Sequence, residues 1–193
     1  MKHKLCYKLM LMILLFPLIQ VAHAGNFEIT PAVQGQLDKE KTAIVSWASD
    51  PVIVKEVQLQ NKKGPLPGMD NDTWKTTRRS DPVIMAFQDN PAGRYLKAKL
   101  EQEGSVFNEA FLSASKGEKV AFVEKTTSYI HKGKPKFDVP FTTGKSWQGE
   151  PEFDESSQTY AVQISTPVLS DGKPIGVLVV GVNLSYLEKF KKQ

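Results

Sequence analysis

The sequence predicts an α+β fold in which a long N-terminal helix packs on a central antiparallel sheet. Apolar residues recur at helical spacing between positions 33 and 48, where Val33, Leu37, Ile44, Val45, Trp47 and Ala48 sit among Gln, Lys, Asp and Glu. After Gly104 the pattern switches to short apolar runs arranged in two pairs, each pair joined by turn residues. Helices followed by paired strands place the helices on one face of an antiparallel sheet and leave the other face for a pocket.

Residues 1–24 stand apart from this fold. Lys2, Lys4 and Lys8 precede an apolar run from Leu9 to Ile19, and Ala22 and Ala24 put small residues where a signal peptidase reads. That order predicts a cleavable signal peptide and an exported, periplasmic protein. The competing reading is an uncleaved anchor, but Pro17 and Gln20 interrupt the run, which is shorter than the roughly 20 apolar residues that span a bilayer. The formal net charge of +4 is largely a property of the leader, whose three lysines have no acid beside them. The nearly neutral remainder gives no basis for a nucleic-acid partner. Cys6, the sole cysteine, also lies in the leader, so residues 25–193 are expected to form one packed domain without a disulfide. No later stretch is long enough for a transmembrane helix; Ile175 to Val182 is short, contains Gly176 and Gly181, and suits a buried strand.

Residues 25–104 read as mainly helical. Ser49-Asp50-Pro51 interrupts the first amphipathic stretch, and similar wording returns at Ser80-Asp81-Pro82 and, more loosely, at Asp89-Asn90-Pro91. Asp or Asn accepts from the free amides of a first helical turn and proline tolerates the first helical position, so each copy predicts a helix start. Lys62 to Gly68, dense in Gly and Pro, is a loop. Residues 105–184 hold the sheet. Val106 to Leu112 and Lys119 to Lys125 form one hairpin, and Thr159 to Leu169 and Ile175 to Leu184 form another across Asp171-Gly172. Between them residues 126–157 are polar and aromatic, too long for an ordinary connection unless structured and functional. Residues 185–193 return to a short helix with Tyr186, Leu187 and Phe190 on its apolar side.

Taken together, several of these segments resemble the extracytoplasmic Cache sensors, also called PDC domains, which have a PAS-like fold. The resemblance runs from Trp47-Ala48-Ser49-Asp50-Pro51 through Asp72-Thr73-Trp74 and Asp81-Pro82 to Ala110-Phe111-Leu112 and Val120-Ala121-Phe122. It is clearest at Tyr160-Ala161-Val162-Gln163-Ile164-Ser165-Thr166-Pro167-Val168 and at Asp171-Gly172-Lys173-Pro174-Ile175-Gly176-Val177-Leu178. What it implies is a small-molecule pocket on the far side of the sheet, roofed by the segment at 126–157. Members usually sit in chemoreceptors, histidine kinases or cyclic-dinucleotide enzymes. A stand-alone exported version would bind its ligand and pass the signal to a membrane-bound receptor, kinase or cyclic-dinucleotide enzyme. Amino-acid-binding members hold a carboxylate with an Arg near a Trp-Tyr pair, whereas Arg78, Arg79 and Arg94 all precede the sheet here.

The candidate ligand-binding residues are Tyr129, His131, Lys145, Trp147, Tyr160, Gln163 and Ser165. His131 is the one histidine after the leader, so neither a His-rich nor a thiolate metal site can be assembled, and no metal or cofactor is expected. A hydrolase would need His131 as a base beside a serine such as Ser128 or Ser146, with no nucleophile elbow in view; the expectation is a non-enzyme. Lys145 and Trp147 lie in Phe141 to Gly149, which offers a cation, hydroxyls, an aromatic plane and two glycines. Gly144-Lys145-Ser146 does not have the spacing of a phosphate-binding loop. Strand alternation puts Gln163 and Ser165 on one face; Gln163 is either a pocket ligand or a paired core amide. The acids Glu150, Glu152, Asp154 and Glu155 lack the spacing of a calcium loop and read as a solvated turn. These residues point to an exported module that binds a small polar metabolite such as a carboxylate. The other readings are a ligand-free adaptor for a membrane receptor and, as a third, the hydrolase.

Overall fold

Four helices begin where an acceptor side chain precedes a proline. Thr30 caps α1 (Pro31–Ala48), Asp50 caps α2 (Pro51–Lys63), and each side chain accepts from an amide of the first turn. After α3 (Asn71–Thr76), Asp81 and Asn90 do the same for α4 (Pro82–Asp89) and α5 (Pro91–Leu100). The missing proline N–H costs nothing at that position, so each short motif starts a helix. The computed structural model describes residues 27–154 and 158–189. The leader, with Ala22 and Ala24, lies outside the described residues, and so does Phe190.

The strands are β1 (Phe107–Ala114), β2 (Lys119–Phe122), β3 (Trp147–Gln148), β4 (Glu152–Asp154), β5 (Thr159–Ser170) and β6 (Lys173–Asn183). They pair antiparallel throughout in the order β2-β1-β6-β5-β3, with β4 also on β5. α6 (Pro135–Thr143) lies between β2 and β3, and α7 (Leu184–Lys189) follows β6. The architecture is α+β, with the long first helix laid on an antiparallel sheet. β6 is central and buried on both faces, which accounts for its nearly continuous apolar sequence. Among the described residues no helix is long and apolar enough to cross a membrane.

The two sheet faces carry different cores. On the near face Leu37, Ile44 and Trp47 of α1 and Ile53 and Val57 of α2 pack with Leu112, Ile164, Leu178 and Val180. Gly176 permits this approach, because a Cβ there would press on Ser113 O and come within 2.8 Å of Val57. On the far face Trp74, Phe87, Phe111, Phe122, Tyr129 and Phe137 form an aromatic cluster over Val177 and Val179. Trp74 is edge-on to Phe87 at 5.8 Å and to Phe122 at 5.6 Å, a geometry that adds about 0.5–1.5 kcal/mol per pair beyond burial. The far face is therefore not left free along its whole length, as the sequence led us to expect. α6 and the loop before it cover one part, because Phe137 and Pro140 supply the apolar surface that packs there.

Two bulges change which side chains reach each face. In β1 the register shifts between Phe107 and Glu109: Glu109 keeps the alternation of Phe111 and faces away from the helices opposite Gly181, while Phe107 turns to the helix side and packs edge-on to Trp47. In β2, Val120 and Ala121 both enter the near-face core, so Lys119 and Phe122 both turn to the far face. A regular pleat would have sent Lys119 into the apolar side.

Candidate functional site

Beside the first turn of α6 the far face opens into a cleft of about 970 Å³. Its floor is one row across three strands: Glu109 on β1, Gly181 on β6 and Gln163 on β5, with Ala161 one step along. Gln163 Nε2 donates to Glu109 Oε2 at 2.8 Å. The two residues flank β6 from opposite sides, and their side chains meet above it because Gly181 has none. Trp147, Gly149, Glu150 and Glu152 form one wall. Arg79, Glu124, Thr127, Pro135 and Lys136 form the other. Arg79 Nη1 lies 3.3 Å from Glu124 Oε2 at the rim, so an arginine that precedes the sheet in sequence comes to the cleft in space. Carboxylates outnumber cations along the lining. A groove of about 630 Å³ lies elsewhere, between α4, α5 and the end of β2, and is lined by residues such as Gln88, Arg94 and Lys97.

The seven sequence candidates fall in three places. Trp147 and Gln163 line the cleft. Gln163, left open as ligand or paired amide, is half-buried and hydrogen-bonded, with its partner also facing the cavity. Tyr129, His131 and Ser165 lie beneath the roof instead. The Tyr129 hydroxyl accepts from the Leu66 amide at 2.9 Å, and its ring lies 5.5 Å from that of Trp74. The His131 ring lies 4.5 Å from that of Phe111, and its amide donates to Gly117 O at 2.7 Å. Ser165 is fully buried beside Val179. The remaining two lie outside the cleft: Lys145 is exposed just past α6, and Tyr160 packs with Phe27 at 5.4 Å and Phe153 at 5.0 Å.

Burial and charge tune the groups under the roof. Burial lowers the His131 pKa to about 2, reinforced by Lys119, Lys134 and Lys136, so the imidazole is neutral. Burial likewise holds Lys134 below the usual lysine value, with Lys136 and Lys75 adding to it, and its Nζ donates to Ser128 Oγ at 2.6 Å. Ser146 Oγ donates to Thr166 Oγ1 at 3.0 Å. Each serine weighed as a nucleophile is thus engaged away from His131, and the His131–serine contact of the hydrolase reading is not made. Among the described residues five buried side-chain atoms lack a hydrogen-bond partner: Ser113 Oγ, Glu118 Oε1, Lys119 Nζ, His131 Nδ1 and Ser165 Oγ. Glu109, Lys119 and Lys136 were not singled out in the sequence; for Lys119 the bulge hides the signal.

No family model matches the chain, and no curated protein matches it in sequence. Similar solved structures include the ligand-binding domain of the Pseudomonas fluorescens chemoreceptor CtaA in complex with L-serine. It is 17% identical over 81% of this chain and 55% of that one, with a TM-score of 0.45. The ligand-binding domain of the Pseudomonas aeruginosa PAO1 amino acid chemoreceptor PctB, in complex with L-Arg, is 18% identical over 82% and 54%, with a TM-score of 0.44. The sensor domain of the V. cholerae histidine kinase DctB is 16% identical over 81% and 59%, with a TM-score of 0.42. The chain spans a little over half the length of these structures. Two are ligand-binding domains of chemoreceptors and one is the sensor domain of a histidine kinase.

Proposed function

We propose that the chain is an exported, periplasmic sensor module that binds a small polar metabolite carrying a carboxylate and passes the signal to a partner protein. The observation that carries this is the cleft: about 970 Å³, on the sheet face opposite α1, with Gln163 and Glu109 joined across its floor and Trp147 at its side. Ligand sites are concave and offer a few converging polar groups beside apolar walls. Trp147 supplies the plane, Gln163 a hydrogen-bonding amide, and Arg79 and Lys136 the cations for an anionic group. The acidic wall at Glu150 and Glu152 would accept from donor groups on the same metabolite. The partner in this reading is a membrane-bound receptor, kinase or cyclic-dinucleotide enzyme. Calorimetric titration of the purified chain with small carboxylates and other polar metabolites tests it. At least one should bind saturably and lose affinity on Trp147→Ala or Gln163→Ala; a folded sample that binds none, or variants that bind unchanged, would overturn the reading.

A further inference from the structure

Lys119 is the largest unexplained feature of the far face. It is fully buried, and its Nζ has no hydrogen-bond partner and sits 3.3 Å from the centroid of the Phe111 ring. The bulge in β2 puts it there; an unbulged strand would not. Register fixes the direction of its side chain. Lys119 pairs with Ser113, the row on one side of Phe111, and Glu109 lies in the row on the other side, in the cleft floor. The amine, reaching Phe111, therefore points toward the inner end of the cleft. Ser113 and Ser165, on the same face, are buried with free hydroxyls, and His131 Nδ1 on the covering loop is also unpaired. Each such group destabilises the fold unless something pairs with it.

We propose that Lys119 is the inner anchor of the cleft, where it receives the anionic group of the ligand, and that one proton is taken up from solvent as the anion binds. The assignment rests on the cleft being the ligand site. Empty, the buried amine is pushed toward its neutral form, because burial lowers its pKa and Lys136 and Lys134 add to this while Glu109 alone opposes it. The groups facing it are Glu109 from β1, His131 from the loop, and Lys134 and Lys136 from the start of α6. An oxyanion among them adds the missing counter-charge, so the ammonium form becomes the stable one and Nζ–H donates to it. Pro135 and Lys136, at the start of α6, line the cleft beside it.

The test uses the full chain labelled with ¹³C at lysine Cε, titrated with sodium acetate against sodium chloride at equal ionic strength. Acetate should shift the Lys119 Cε resonance saturably from its neutral to its charged position. It should also draw one proton per site from unbuffered solution, and bind about tenfold more weakly for each pH unit raised. Lys119→Met, close in volume, should abolish the uptake and weaken acetate at least about thirtyfold; Lys119→Gln should do the same if the methionine variant folds poorly. A Trp147 indole that responds to acetate while Lys119 stays fixed would overturn the anchor and leave the cleft standing. If neither responds, both go.

Discussion

His131 is buried as a neutral base, and the consequence is an acid-sensitive fold. Above its ordinary value of 6.5 both folded and unfolded chains hold it neutral, so it does not affect stability. Below that, the unfolded chain takes up a proton that the folded one refuses until about pH 2, and stability falls by about 1.4 kcal/mol per pH unit from this group alone. Urea unfolding between pH 6.5 and 4.5 should show that slope, and His131→Gln should flatten it; equal slopes would mean the ring is not shielded. Glu109 and Lys119 show where sequence pattern stops informing. Trp147 and Gln163 were legible because an aromatic beside glycines and a glutamine in a half-apolar strand stand out from regular alternation. Lys119 was not, because one inserted residue in β2 inverts the face that alternation assigns, and Glu109 was not, because its place in the cleft depends on Gln163 reaching it across Gly181.

The loop before α6 is held by α3 rather than by its own strand. Asn71 Oδ1 accepts from the Tyr129 and Ile130 amides at 2.9 and 2.8 Å, and Trp74 Nε1 donates to Thr126 O at 2.7 Å. Asn71→Ala leaves two amides without acceptors. It should cost about 2 kcal/mol and speed hydrogen exchange at Tyr129 and Ile130 while the β6 amides stay protected; uniform protection would contradict this. In the same way β6 builds the cleft floor by omission. A Cβ at Gly181 would press on Asn108 Oδ1 and come within 3.0 Å of Glu109 Cβ. Gly181→Val should therefore break the Gln163–Glu109 bond, fill the floor and lower metabolite affinity at least about tenfold, with the strand pairing retained by circular dichroism. The starts of α2, α4 and α5, both hairpins and the long excursion between them were legible from capping residues, Asp-Gly and Gly-rich turns. α6 was not, because Pro140 interrupts its pattern and the residue before Pro135 is a lysine rather than a capping side chain.

The sheet divides the protein into an apolar side that α1, α2 and α5 close and a far side that is half aromatic core and half open cleft. The apolar side was readable from periodicity, since burial there follows spacing along each element. The division of the far side was not, because it depends on where the aromatic residues of six separate segments converge. Nuclear magnetic resonance mapping of amide shifts, with a metabolite that binds in calorimetry, would locate the site. The shifts should concentrate at residues 109, 147–149, 161–163 and 181 and leave α1 and α2 unchanged. Shifts centred instead on the groove between α4 and α5, or spread over the near face, would contradict a ligand site on the far side of the sheet.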